Sequence, residues 1–209
     1  MQNRFDKCVA KAKTTAKTTA ITIALALTLG ACTSQPEIVD NSPTSRVTVV
    51  VSGDQDFIQQ HGQNLAWHPD VNRIHTHNPQ EVGELQRHMR RSFKAELEEK
   101  GYRFAAGEGQ VNNPASLYVG FAIALESEMS DAEILKRAGL VAGLNTQGID
   151  KKFEKGSVFV AFFHPQTNEV VWRVLAQGFT QPGTEIEKRE QRFDELARMM
   201  LNSLPKSEV

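Results

Sequence analysis

The stretch GSVFVAFFHPQTNEVVWRVLAQGFT, residues 156–180, decides how this chain folds. It holds two runs rich in β-branched and aromatic residues, the composition of strands. Between them, His164 to Glu169 contain Pro165, Thr167 and Asn168, residues that supply turn chemistry. The stretch therefore predicts an antiparallel hairpin. Along its second arm Trp172 shares a side with Val170 and Val174, which favours burial of the indole, while Arg173 points the other way.

Working outward, SLYVGFAIALE (116–126) alternates Leu117, Val119, Phe121, Ile123 and Leu125 with Tyr118, Gly120, Ala122 and Ala124. Both faces of this strand read as buried, and the small residues suggest that one face meets a helix closely. RVTVVVS (46–52) is a further strand, ended by Gly53 and Asp54. An extended region follows around Leu65 to His68, and VNRIHTH (71–77) reads either as another strand or as an ordered loop. Two long helices complete the pattern. The first spans 79–100, with Asn78 as cap, Pro79 at the first position and the stripe Val82, Leu85, Met89, Phe93 and Leu97, and Gly101 stops it. The last runs from Glu185 to Leu204, opens on a capping-box spacing of Thr184 and Glu187, and ends at Pro205. The order implies an α+β fold: a mostly antiparallel sheet with two or three helices packed on one face.

The amino-terminal segment has another logic. Residues 1–19 carry five basic side chains against one acid, Asp6, and Ala20 to Leu29 form a short apolar run. Ten residues are too few to span a bilayer core, which takes about twenty in a helix. Basic segment, apolar segment and small residues are the three parts of a secretory signal. The alternative, an N-terminal helix of the folded domain, lacks an apolar face in the threonine-rich stretch Lys11 to Thr19. Leu29-Gly30-Ala31-Cys32 resembles the lipobox of bacterial lipoproteins. That resemblance implies diacylglycerol on the Cys32 thiol and cleavage before it, and Thr33 rather than Asp after the cysteine implies sorting to the outer membrane. The organisation expected is a signal over 1–31, an acylated cysteine and tether over 32–45, and one domain over 46–209. Two or three acyl chains give stable anchoring where one gives only marginal binding.

With the signal removed, 19 basic side chains face 24 acidic ones, a formal charge of about −5. Nucleic-acid binders carry clustered positive charge, so nucleic acid is not expected as a partner. The cluster Arg87, Arg90, Arg91 and Lys94 lies on a helix also rich in Glu and reads as a solvated face. The lipobox resemblance implies that Cys8 leaves with the signal and that Cys32 is acylated, so no disulfide, redox pair or thiolate-bound metal is expected.

Several blocks occur in a recognisable order: NLAWHP (64–69), MRRSFKAELEEKGYRF (89–104), ASLYVGFAI (115–123), the hairpin from Glu154 to Gly178, and a terminal helix closing with NSLP (202–205). Together they resemble the DUF4136 family of bacterial lipoproteins, a family without an assigned biochemical role. Trp67 with Pro69, Leu97 to Tyr102, and Thr167 to Arg173 hold the places of its motifs. Between the central strand and the hairpin, where relatives have a Gly- and aromatic-rich segment, this chain has SDAEILKRAGLVAGLNTQGIDKK, which suggests an extra helix.

Catalytic constellations are not evident. His75-Thr76-His77 would set two imidazoles on one side of a strand, with His61 and His68 near in sequence, but nothing fixes a third zinc ligand. There is no Gly-x-Ser-x-Gly elbow, and Gly107-Glu108-Gly109 lacks the Lys-Ser/Thr of a phosphate loop. No enzyme activity, cofactor or metal is expected. The remaining segment, 130–149, opens on a capping-box spacing of Ser130 and Glu133. Ile134, Ala138, Val141 and Asn145 then follow one helical line, with Gly139 and Gly143 at a small-x-x-x-small spacing. Its apolar side reads as packed on the domain's own sheet, or as a patch of Leu135, Leu140, Val141 and Leu144 for a protein or lipid partner. Two functions stay open. One is a membrane-anchored, non-enzymatic accessory with an envelope protein as partner. The other is a module that binds a lipid or hydrophobic ligand.

Overall fold

The computed structural model describes residues 42–76, 79–104 and 115–207. Its elements are β1 (Val47–Gly53), α1 (Gln55–His61), β2 (Asn64–His75), α2 (Val82–Glu99), β3 (Arg103–Phe104), β4 (Leu117–Leu125), α3 (Asp131–Ala138), β5 (Glu154–Phe163), β6 (Val170–Thr180) and α4 (Ile186–Leu201). The strands form one sheet in the order β1-β6-β5-β4-β2-β3. The expected hairpin is its centre: β5 and β6 pair antiparallel, and β1 and β4 extend the antiparallel ladder on either side. Beyond β4 the ladder changes direction, because β2 runs parallel to both β4 and β3. The fold is α+β with a mostly antiparallel sheet.

Period-two alternation divides the sheet into two faces. On the first, Leu117, Val119 and Phe121 of β4, Val158, Val160 and Phe162 of β5, and Trp172, Val174 and Ala176 of β6 meet Met89, Phe93 and Leu97 of α2 and Phe193, Ala197, Met200 and Leu201 of α4. Trp172 is wholly buried there, as its side of the strand predicts. The short helix α1, whose Asp54 cap accepts from the Phe57 amide at 2.9 Å, adds Ile58 to the same core. Behind α2 the carboxyl-terminal segment folds back. Tyr102 donates its hydroxyl to the Pro205 carbonyl at 2.8 Å, and the Ser207 amide bonds to the Lys100 carbonyl at 2.8 Å. Burial pushes the Tyr102 phenol up to about 12.

Helix boundaries differ from expectation where caps were read from spacing. A 3-10 turn, Pro79–Glu81, precedes α2, and Glu81 stands at its cap without a capping bond from its side chain, which accepts instead from Arg189 Nη1 at 2.9 Å; the expected cap Asn78 lies outside the described residues. At α4 the Thr184–Glu187 box does not form, because the Thr184 hydroxyl donates to the Gln181 carbonyl at 2.8 Å in the preceding turn. The box at Ser130 and Glu133 does form, with Glu133 accepting from the Ser130 amide at 3.0 Å. Its helix, however, is α3 alone and not the longer one suggested by periodicity. Gly139 adopts φ +70°, a left-handed end that its missing Cβ allows, and Gly143 is also left-handed at φ +66°. The two glycines therefore end and turn the chain rather than lining one helical face.

Candidate functional site

The second face of the sheet carries the site. Its strands present Lys155, Ser157 and Phe159 from β5, Leu175 and Gln177 from β6, and Ala122 and Ala124 from β4. Helix α3 lies on this face, opposite α2 and α4: Ile134, Leu140 and Ala142 pack with Leu175, beside Val50, Met129, Ala138 and Phe159, in a small second core. The reading of 130–149 as packed on the domain's own sheet thus describes much of the segment.

Two buried polar side chains fix α3 in place. Lys155 is 4% exposed, and its Nζ stands 2.9 Å from Asp131 Oδ2 and 2.9 Å from Glu126 Oε1. Gln177 has no exposed surface; its Nε2 donates to Asp131 Oδ1 at 2.7 Å and to Ser157 Oγ at 3.1 Å, while its Oε1 accepts from the Leu144 amide at 3.0 Å. Burial, the strongest single influence, pulls the Lys155 ammonium down, yet its bonds to Asp131 and Glu126 prevail and hold it above the ordinary lysine value. With every polar atom partnered, this cluster is scaffolding: it seats the first turn of α3 and the strap after it on the sheet.

Beside α3 the same face is open. A groove of about 180 Å³ has Ala122 and Ala124 in its lining, with Phe159 and Leu175 on one side, Ile134 and Ala138 from α3, and Val71 from β2. The small residues of β4, expected to meet a helix closely, instead leave this gap, since α3 packs towards β5, β6 and β1. Arg73, His75 and Arg137 also line the groove, and no carboxylate does. Among the described residues neither arginine joins an ion pair.

The strand that supplies Arg73 and His75 is shaped by His68. Between Trp67 and Asn72 the pairing of β2 with β4 shifts register. Buried His68 organises the irregular segment: its Nδ1 accepts from the amides of Asp70 and Val71, both at 3.1 Å. That leaves Nε2 to donate to Asn168 Oδ1 at 2.7 Å. Asn168 sits at φ +58° in the β5–β6 turn, so one imidazole ties that turn to β2. Gly120 lies beneath the bulge; a Cβ there would come within 2.7 Å of Val71 Cβ.

The residues singled out from sequence are dispersed. Leu140 is buried at 7% exposure, Val141 and Leu144 are half-buried, and Leu135 stands outward, 50% exposed. None of the four lines the groove; its α3 wall is Ile134 and Ala138, on the helical line drawn from Ile134. Cys32 lies outside the described residues. His61 Nδ1 is within 3.1 Å of the Phe57 carbonyl, His68 is engaged in the bulge and His75 is at the groove, while His77 is outside the described residues. Among the described residues no group of three His, Cys, Asp or Glu side chains is placed to hold a metal, and no helix is long and apolar enough to cross a membrane. Sequence reasoning missed Lys155 and Gln177. The signal was available: each is a polar residue set among large apolar ones on its strand face, Lys155 with Phe159 and Gln177 with Leu175 and Phe179, and such a residue must find partners when buried.

The PelC dodecamer from Paraburkholderia phytofirmans aligns with 78% of this chain and 100% of its own, at 12% identity and a TM-score of 0.47. A minor lipoprotein from Acinetobacter baumannii aligns with 69% of this chain and 98% of its own, at 14% identity and a TM-score of 0.29. No match is found among curated proteins. A family model described as a domain of unknown function (DUF4136) matches residues 49–206, the whole span from the first strand to the tail behind α2. The chain therefore belongs to the DUF4136 family.

Proposed function

We propose that this protein is a lipoprotein anchored through acylated Cys32 to the bacterial outer membrane, facing the periplasm. Its domain acts there as a non-enzymatic accessory in envelope assembly or maintenance. The anchor rests on Leu29-Gly30-Ala31-Cys32 and the basic and apolar segments before it. Residues 33–41 would then be the tether, because Pro43–Ser45 form a 3-10 turn on the domain, with the Thr44 carbonyl accepting from Arg192 Nη2 at 3.1 Å.

The observation that carries the interaction reading is the groove beside α3. Small-molecule sites usually enclose about 300–1,000 Å³; this one offers about 180 Å³, nearer the roughly 150 Å³ apolar cavity that accepts a benzene. It suits one apolar side chain of a protein partner, with carboxylates beside that side chain meeting Arg73 and Arg137. The second reading, a hydrophobic-ligand module, keeps support from the apolar lining but at this size takes only one segment of an acyl chain.

A photoreactive residue in place of exposed Arg137, with a control at exposed Glu99 on α2, tests the reading in intact cells. A discrete protein adduct at position 137, absent at 99, supports it. Adducts to lipid alone favour the second reading, and equal labelling at both positions overturns the groove as a docking site.

A further inference from the structure

The opposite side of the sheet from β2 and β3 ends at β1, which pairs with β6 alone. The Asp54 amide bonds to the Val171 carbonyl at 2.9 Å, which makes Gly53 and Trp172 a non-hydrogen-bonded pair of the ladder. By antiparallel alternation, Val47, Val49, Val51 and Gly53 then turn their N–H and C=O groups away from β6. Among the described residues these outward groups bond to nothing.

Proteins ordinarily blunt such an edge with lysine, proline or a bulge. The sequence Val-Thr-Val-Val-Val-Ser-Gly has no charge and no proline, and its pairing with β6 is regular throughout. Charges stand only at the two ends. Arg46 precedes the strand and Asp54 follows it, both exposed and both in extended backbone. Asp54 caps α1 through Oδ1, which leaves Oδ2 for a cation.

We propose that β1 pairs antiparallel with β1 of a second copy of this chain, centred on Val50. In that register Val49 faces the partner's Val51, Thr48 faces the partner's Ser52, and Arg46 faces the partner's Asp54. Three independent requirements meet there. Outward-turned residues, all odd-numbered, face one another, so each bare N–H and C=O finds a partner. Each end of the contact sets a guanidinium against a carboxylate. The two-fold axis passes between uncharged valines, so no like charges meet on it. A shift by two residues loses the charge pairing, and in-register parallel pairing would set Arg46 beside the partner's Arg46. Val49 and Val51, partly buried at the margin of the main core, continue that core into the second copy. The contact uses nothing of the groove, so either can fail without the other.

Cysteine scanning of the full-length chain in its own membranes tests the register. A non-hydrogen-bonded antiparallel pair holds its Cα atoms about 4.5 Å apart, within disulfide range. Under mild oxidation Val50→Cys should give a covalent dimer above the background of the unmodified chain. Thr48→Cys and Ser52→Cys should each stay monomeric alone and crosslink when co-expressed. Equal dimerisation of all three single variants, or an adduct of Val50→Cys with a different protein, overturns the proposal. A measurement free of substitution guards against a misfolded variant: the unmodified full-length chain in detergent should sediment at twice its monomer mass, and a monomer overturns the proposal. Arg46→Glu, which sets carboxylates together at both ends, should weaken that dimer about tenfold.

Discussion

Asp131 is held by both oxygens: Lys155 Nζ stands 2.9 Å from Oδ2, and Gln177 Nε2 stands 2.7 Å from Oδ1. One carboxylate in the first turn of α3 therefore joins two neighbouring strands. Gln177 also accepts from the Leu144 amide, so it secures the strap as well as the helix. Gln177→Leu should cost about 2 kcal/mol in chemical denaturation, because it strands a buried amide and a carboxylate oxygen. Hydrogen exchange should rise at Leu144 and across α3 while α2 and α4 keep their protection. Uniform loss of protection would show that this face has no independent role in local stability.

Alkaline pH should weaken the fold through Tyr102. Its phenol is raised to about 12 by burial, so between pH 10 and 12 the unfolded chain releases a proton that the folded chain keeps. Stability then falls as pH rises through that window, by about 3 kcal/mol in total. Lys155 acts in the same direction: its folded value is raised, so its contribution is full below the ordinary lysine value and lost as pH climbs through the folded one. Tyr102→Phe should remove the first part of the slope and keep the second. An unchanged slope in that variant would contradict the assignment to Tyr102.

The ends of α3 offer opposite tests. Ser130→Ala removes the cap and should cost about 1 kcal/mol. Bonds from Ser130 hold the Glu133 carboxyl below its usual range, so its part in the box is present above the ordinary carboxylate value and is lost as pH falls through the lowered one. Acid-dependent fraying of α3 should therefore shrink in Ser130→Ala, which removes the hydroxyl bond but keeps the larger one from the Ser130 amide, and vanish in Glu133→Gln, which does not titrate. At the other end, Gly139→Ala forces a side chain into φ +70° and brings Cβ within 2.5 Å of Arg173 Nη1. The guanidinium can swing aside, so the backbone strain dominates, at about 1 kcal/mol.

Cys32→Ala should release the protein from the membrane fraction to the soluble one. Retention in the membrane after that substitution would mean that the attachment does not run through an acylated cysteine.

The elements legible in the sequence were those whose signals are local. The β5–β6 hairpin announced itself through its turn residues, α2 through the stripe from Val82 to Leu97, and α3 through Ser130 and Glu133. What failed was reading continuity from periodicity. Ile134, Ala138, Val141 and Asn145 keep helical spacing, yet Lys136 and Arg137 followed by Gly139 are an equally plain C-terminal signal, and the backbone obeys the glycine. The parallel pairing of β2 with β4 was not legible, because it depends on where α2 returns the chain. The groove was half legible. Gly120, Ala122 and Ala124 marked a place where side chains stop short, but what lies above them is set by Asp131, Lys155 and Gln177, far apart in sequence.

The pairing of Val47 with Gly178 has a consequence for how the chain comes into being. Strand β1 is made early and has no ladder within the monomer until β6 arrives more than a hundred residues later. A chain that emerges amino end first thus leaves its first strand unpaired until the last fifth of the sequence has followed, although β2, α2 and β4 can already associate. Contacts of such long separation slow folding. Until β6 arrives, the uncharged valines of β1 are open to any other strand they meet.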